Sequence, residues 1–160
     1  MIGLRNCLIY IIVVGVVGFV GGRFLPKRWF NYDAAPYKAL PFENNGNVYR
    51  KLGIHRWQDR LPDMSRILPN VMPAKRITSH LSVEKAEIMV QETCIAEFIH
   101  VFLSVAGLAL PFLWPGWGGI CVFLVYFLLG NLPFILIQRF NRPKLRMLRE
   151  KCRKAEAAGQ

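Results

Sequence analysis

Residues 92–117, ETCIAEFIHVFLSVAGLALPFLWPGW, decide the fold of this chain. Two acids and a histidine open the stretch, an apolar run of membrane-spanning length follows, and Trp114-Pro115-Gly116-Trp117 ends it. Proline and glycine favour a turn, and tryptophan side chains favour the headgroup layer of a bilayer. The stretch therefore predicts a transmembrane helix that ends in a tight turn.

Three apolar runs have close to the ~20 residues that cross a bilayer. They are predicted at 7–22, 95–114 and 118–137. Arg5 before the first run also fits a signal peptide, but Gly21-Gly22-Arg23 is a poor cleavage site, so a retained helix is favoured. The second and third runs, joined by the turn, are predicted to form a helical hairpin.

The composition favours a membrane protein. Hydrophobic residues make up 53% of the 160 residues, and the mean hydropathy is +0.27. The length predicts a single domain, residues 1–160. The expected fold class is all-α, with about three transmembrane helices. Four scattered cysteines without a CxxC pair predict neither a disulfide framework nor a zinc site.

The charge distribution predicts the topology. The net charge is +11, with eleven Lys/Arg between Lys27 and Lys85 and eight between Arg139 and Lys154. Basic segments beside membrane spans face the cytoplasm and anionic lipid, so the loop 24–94 and the tail 138–160 are both predicted to be cytoplasmic. The N-terminus is then outside. The expected location is a bacterial plasma membrane, and no nucleic-acid module is present.

The long loop is predicted to hold amphipathic interfacial helices and turns. Aromatic and basic residues alternate near its start, which is typical of a membrane-surface anchor. Ser82 is a predicted N-cap of the second span's helix, which continues through Leu113. The other predicted elements are the anchor at 24–32, turns at 33–47, a helix at 48–60 broken at Gly53, and irregular chain at 62–77.

An acid–histidine cluster begins the second span. Thr93, Glu97 and His100 fall on one helical stripe at i, i+4 and i+7. Ionisable side chains at membrane depth are costly and usually have a partner or a function. Glu97 is predicted to accept a hydrogen bond from one His100 ring nitrogen, which makes the other nitrogen a better base. The alternative is a structural hydrogen bond between helices.

A second polar group ends the third span. Asn131, Gln138 and Arg142 share a stripe, and Pro133 leaves a carbonyl near Leu129 without its helical donor. The arginines suit phosphate or carboxylate, although a stop-transfer flank has the same composition. An antiparallel hairpin is predicted to bring this group beside the acid–histidine cluster. Glu97-x-x-His100 also resembles half of a di-iron site, to which Glu92 and His80 could contribute, but such a site needs a second motif and more carboxylates, so no metal is predicted.

The motifs resemble those of the glycosyl-diaponeurosporenoate acyltransferases, small membrane enzymes of carotenoid glycolipid synthesis. The similarity covers residues 47–148 and departs from the family pattern at Cys94, Ile95 and Val101. The matching motifs are Arg56-Trp57-Gln58, Glu92-Thr93-Cys94-Ile95-Ala96-Glu97-Phe98-Ile99-His100, Asn131-Leu132-Pro133 and Gln138-Arg139-Phe140-Asn141-Arg142-Pro143-Lys144-Leu145.

The resemblance implies transfer of a fatty acyl group to a hydroxyl of a membrane glycolipid. The donor would be an acyl-CoA or acyl-carrier thioester, with no bound cofactor. The catalytic prediction is His100 as general base, with Glu97 and Glu92. Substrate contacts are predicted for Asn131 and Gln138 at the oxyanion, Arg139 and Arg142 at donor phosphates, and Asn141 and Trp57. The alternatives are another lipid transferase, such as a methyltransferase, and a non-enzymatic membrane subunit.

Overall fold

A computed structural model describes residues 2–61 and 82–158, and the regular elements in those ranges are all helical. This confirms the predicted all-α class. The α-helices are α1 (Ile2–Phe24), α2 (Asn47–Lys51), α3 (Ile54–Trp57), α4 (Val83–Ala106), α5 (Leu110–Leu113), α6 (Trp117–Val125) and α7 (Leu132–Ala158). Short 3-10 helices lie at Lys27–Trp29, Pro41–Gly46, Gln58–Arg60 and Gly107–Ala109, and a π-helical segment lies at Tyr126–Asn131.

Within the part of the chain that the structure describes, three helical stretches are long and apolar enough to cross a membrane, as predicted. They are Ile2–Phe24, Val83–Leu113 and Trp117–Ala158. The second begins well before its predicted span and the third ends well after its own, because the helix continues into the charged sequence at that end of each apolar run. The inside–outside orientation stays a prediction.

The described residues divide into two compact units. The hairpin unit comprises residues up to Phe30 together with Cys94–Gln138. The loop–tail unit comprises Asn31–Thr93 and the chain from Arg139 onward. Because α4 and α7 contribute residues to both units, this division leaves the one-domain prediction untested.

In the hairpin unit, α1 packs antiparallel to α4 and α5 through a face of small residues. The Tyr10 hydroxyl donates to the Ala106 carbonyl at 2.9 Å, and Cys7 Sγ lies 3.8 Å from the Leu110 carbonyl oxygen. Further along, Gly18 and Gly22 lie against Leu103 and Ile99. Small residues let transmembrane helices approach closely, so the packing follows from the sequence. The opposite face of α1 exposes its branched apolar side chains.

The turn at residues 114–117 joins α5 to α6. Gly116 has a φ of +89°, a conformation that glycine adopts without strain. The N–H of Gly119 donates to the Trp114 carbonyl at 3.1 Å, and a Cβ at Gly119 would lie 2.3 Å from that oxygen. The close approach at Gly119 therefore excludes any larger residue.

Two helix irregularities in the hairpin unit precede prolines. The 3-10 segment Gly107–Ala109 lies just before Pro111, and the π segment Tyr126–Asn131 lies just before Pro133. Proline cannot donate to the carbonyl of the preceding turn, so the helix tightens or widens there. The π segment is the position at which the sequence predicted an open carbonyl.

The loop–tail unit packs α2, α3, the start of α4 and the tail of α7 around a small core. The helix predicted at 48–60 corresponds to α2 and α3, with the break at Gly53, whose φ is +72°. Ser82 Oγ accepts from the Lys85 N–H at 3.3 Å, as expected of an N-cap. The irregular segment predicted at 62–77 and His80 lie outside the described residues. The buried apolar side chains are Tyr32, Tyr49, Ile54, Ala86, Met89, Val90 and Phe140.

Candidate active site

The candidate site in the hairpin unit is a partly buried hydrogen-bond relay around His100. His100 Nδ1 lies 3.1 Å from the Asn131 Oδ1, and Asn131 Nδ2 donates to the Tyr126 carbonyl at 3.1 Å. Phe134 stacks on the imidazole, with ring centroids 4.7 Å apart and planes 6° from parallel. The relay joins α4 to the π segment and α7.

The relay sets the tautomer of His100. Asn131 is 1% exposed, and its amide nitrogen is directed at the Tyr126 carbonyl, so its amide oxygen faces the imidazole. An amide oxygen only accepts, and Nδ1 must therefore carry the hydrogen. Nε2 then carries the lone pair. An oriented imidazole with this tautomer has the chemistry of a general base.

The two predicted acids fall in different units. Glu97 is buried on α4 in the hairpin unit, three residues before His100, and Glu92 is half-buried in the loop–tail unit. The sequence missed Asn131 as the partner of His100 Nδ1 and named Glu97 instead. The hydrogen bond between Glu97 and His100 stays a prediction.

Asn131 and Gln138 are the predicted oxyanion donors. The amide nitrogen of Asn131 donates to the Tyr126 carbonyl. Gln138 lies seven residues further along, about 10 Å along the axis at the α-helical rise. Their joint role at an oxyanion stays a prediction.

In the loop–tail unit, the buried Arg142 side chain hydrogen-bonds to two other segments of the chain. It is 4% exposed, and its Nε donates to Thr93 Oγ1 at 2.9 Å. Its Nη1 donates to the Tyr37 carbonyl at 2.8 Å, and its Nη2 donates to the Thr93 carbonyl at 3.2 Å. Each of its three nitrogens therefore has a protein acceptor, and the guanidinium ties the tail of α7 to α4 and to the loop.

Arg139 belongs to a second cluster, centred on Glu43. Arg139 Nη1 donates to Glu43 Oε1 at 2.8 Å, and Nη2 donates to the Pro36 carbonyl at 2.7 Å. The Tyr49 hydroxyl and the Leu40 N–H also donate to this carboxylate. Burial alone would raise the pKa of Glu43, but the hydrogen bonds from Tyr49, Arg139 and the Leu40 backbone outweigh burial and hold the pKa below its ordinary value.

The space beside these arginines is very small. A gap of about 10 Å³ lies among Tyr37, Glu43, Arg139, Arg142 and Arg146. That volume is roughly one water molecule. The structure therefore places protein partners where the sequence predicted donor phosphates, and phosphate binding by Arg139 and Arg142 stays a prediction.

The remaining predicted contacts are partly buried. Gln138 lies in the hairpin unit, and Asn141 and Trp57 lie in the loop–tail unit. Among residues 2–61 and 82–158, no group of three or more His, Cys, Asp and Glu side chains could hold a metal ion. Sequence reasoning missed Glu43, because no motif marked the segment before residue 47. It missed Tyr49 because the only sign of its role is its contact with Glu43.

Comparison with known proteins identifies the family. Residues 26–151 match the family described as glycosyl-4,4'-diaponeurosporenoate acyltransferase. The chain belongs to this family. It is therefore classed with acyltransferases, which confirms the predicted enzyme class over a non-enzymatic subunit. The match begins at residue 26, so it includes the segment around Glu43 that the sequence resemblance had left out.

Curated relatives agree with the family match. Two proteins named glycosyl-4,4'-diaponeurosporenoate acyltransferase, from Staphylococcus aureus strains MRSA252 and N315, are each 27% identical over 147 residues. The protein of that name from strain Newman is 28% identical. Each alignment covers 89% of this chain and 85% of the relative. No solved structure matches the chain.

Proposed function

We propose that this protein moves a fatty acyl group from a thioester donor to a hydroxyl of a membrane glycolipid, with His100 as general base. One observation carries the proposal: Asn131 holds Nδ1 of a half-buried histidine at 3.1 Å, which leaves the Nε2 lone pair for a substrate proton. The glycolipid acceptor follows from the family name, and the thioester donor is the chemically simplest source of an activated acyl group.

The reaction is a direct acyl transfer. The acceptor oxygen attacks the thioester carbonyl carbon as Nε2 takes the hydroxyl proton. The tetrahedral intermediate then expels the thiolate, and the imidazolium returns the proton to sulfur. Stacking on Phe134 and the hydrogen bond to Asn131 keep the ring from reorienting between the two proton transfers.

Glu97 is the second member of the proposed machinery. It is 5% exposed and lies one helical turn before His100 on α4. A carboxylate at this distance stabilises the imidazolium that forms during transfer, because charges interact strongly where water is scarce. Its removal is expected to act through His100 and not through substrate binding.

The test is turnover of purified protein in lipid nanodiscs with an acyl-CoA and a glycosylated lipid acceptor. His100→Ala is expected to lower kcat by about 10²–10⁴-fold. Glu97→Gln is expected to lower it too, and the double variant should cost little more than His100→Ala alone, because residues that act as a unit are non-additive.

Ser104→Ala is the matched control. The Ser104 hydroxyl donates to the His100 carbonyl at 2.7 Å, one turn along the same helix, so its removal disturbs the backbone of α4 but not the imidazole. This variant should retain turnover. A folded His100→Ala protein with the turnover of Ser104→Ala would overturn the general-base proposal.

A further inference from the structure

An apolar groove of about 560 Å³ opens in the hairpin unit between α1 and the helix that begins at Trp117. Its walls are almost entirely hydrocarbon. Six lining residues carry the argument: Leu8, Ile11, Val122, Val125, Tyr126 and Gly130. Volumes of 300–1,000 Å³ are typical of small-ligand sites.

The groove extends along both helices. Its wall on the third span runs from Cys121 to Gly130, nine residue steps, or about 13 Å at the α-helical rise. Leu4, Leu8 and Ile11 lie about one turn apart on α1 and form the facing wall. An apolar wall of this length can accommodate an extended alkyl chain.

Tyr126 and Gly130 line the groove and adjoin the His100 relay. Gly130 directly precedes Asn131, and the Tyr126 carbonyl accepts the Asn131 amide. The end of the groove at Val122 approaches the turn at residues 114–117, because Val122 lies only five residues after Trp117. The groove therefore runs from the level of His100 toward that turn.

We propose that the groove binds the fatty acyl chain that is transferred, with its carbonyl at His100 and its methyl end toward the turn. This inference rests on the proposed function. The acyl chain is bonded directly to the reacting carbonyl carbon, so its first methylenes must leave the site next to His100. The apolar part of a glycolipid acceptor is separated from the reacting hydroxyl by the sugar, which makes it the poorer fit.

The length of the groove then determines which acyl chain length the enzyme prefers. Lipid tails are as apolar as the groove, so its preference among chains comes from packing and shape and not from removal of water. A larger side chain at the end of the groove away from Asn131 should therefore reduce the length of acyl chain that fits. A substitution near Val122 is therefore the sharpest perturbation, since it lies far from Asn131.

The experiment measures kcat/KM of the full-length protein for acyl-CoA donors of increasing chain length. Val122→Phe is expected to lower the ratio of long-chain to short-chain kcat/KM by about 10-fold or more, the usual discrimination of an apolar pocket for a misfitting group. Turnover of short donors should stay within about twofold of the wild type. Leu124→Phe is the matched control, because Leu124 lies on the same helix, is exposed and does not line the groove.

Three results overturn the inference: an unchanged chain-length profile, equal loss for all donors, or a raised acceptor KM with the donor profile intact. An unchanged profile means that the groove holds bulk lipid, and a raised acceptor KM means that it holds the acceptor. If Val122→Phe does not fold, Val122→Ala gives the complementary test. The smaller side chain lengthens the groove, so kcat/KM should rise for longer donors.

The two proposals fail separately. If the Val122→Phe enzyme is active and its donor profile is unchanged, only the groove proposal is refuted. If His100→Ala retains turnover and Val122→Phe shifts the donor profile, only the general-base proposal is refuted.

Discussion

The two units bury polar side chains in opposite ways. In the loop–tail unit, Arg142 has a protein acceptor for each of its three nitrogens, and the gap beside it holds about 10 Å³. In the hairpin unit, His100 has one nitrogen oriented by Asn131, and a groove of about 560 Å³ borders the same π segment. The first arrangement fills its space with protein partners, and the second leaves open space, as the proposed reaction requires.

The comparison shows that an arginine cluster beside a membrane span can be structural and need not be an anion site. A sequence rich in arginine beside a membrane span suggests an anion site, because a guanidinium binds phosphate well. The same five donors also suit backbone carbonyls, and here they bind Pro36, Tyr37 and Thr93. The contrast predicts that changes in the loop–tail unit alter stability, whereas changes around His100 alter turnover.

The largest effect is expected for Arg142→Ala. It leaves buried acceptors on Thr93 and Tyr37 without their donor, which should lower the free energy of unfolding by about 3–5 kcal/mol. Thermal unfolding in detergent measures this loss, with exposed Lys151→Ala on the same helix as control. Unchanged stability with a raised donor KM would show that Arg142 binds the donor, and the contrast between the units would fail.

A smaller effect is expected for Glu43→Gln. Its folded-state pKa is depressed, so the carboxylate stabilises the fold above the ordinary pKa of about 4.3, and that stability is lost as the pH falls through the folded-state pKa. At neutral pH the variant should be less stable by about 1.5–3 kcal/mol, the usual worth of hydrogen bonds to a charged group.

Unfolding measured against pH tests the Glu43 prediction. The gap between wild type and Glu43→Gln should narrow in acid, whereas exposed Glu84→Gln should follow the wild type throughout. A gap that stays constant from neutral to strongly acidic pH would mean that the ionised form of Glu43 contributes nothing.

The smallest effect is expected for Asn131→Leu. Loss of the acceptor frees the imidazole to change tautomer, and kcat should fall by about 10–100-fold, the usual cost of removing a group that orients a functional histidine. KM should not change. Asn131→Asp keeps an oxygen facing Nδ1 and should recover part of kcat, so equal losses in the Leu and Asp variants would contradict the positioning role.

Hydropathy located the three spans because it measures the property that selects a bilayer. It could not give the partner of His100, since the stripe on α4 says which residues share a face but not which residue of a neighbouring helix faces them. Glu97 was the nearest candidate in sequence, while Asn131 is 31 residues away. The protein partners of Arg142 were equally hidden, because two of them are backbone carbonyls, which carry no signal in the sequence.

The family match reaches further into the loop than the motifs did. Pro36, Tyr37 and Glu43 lie within it, and they contact Arg139 and Arg142 of the tail. These contacts depend on turns and on single side chains that follow no helical periodicity, so no sequence pattern predicts them. Through these contacts the segment before residue 47 packs against the tail and is not a free linker.

The π segment at Tyr126–Asn131 changes the phase of the third span. A π turn holds one residue more than an α turn, and each residue of an α-helix advances the side chains by about 100°. The stripe of α6 that faces α1 is therefore not continued by the residues after Asn131, and Phe134 instead lies against His100. Deleting one residue within 126–131 would restore a regular helix, yet it would turn every side chain of α7 by about 100° about the helix axis.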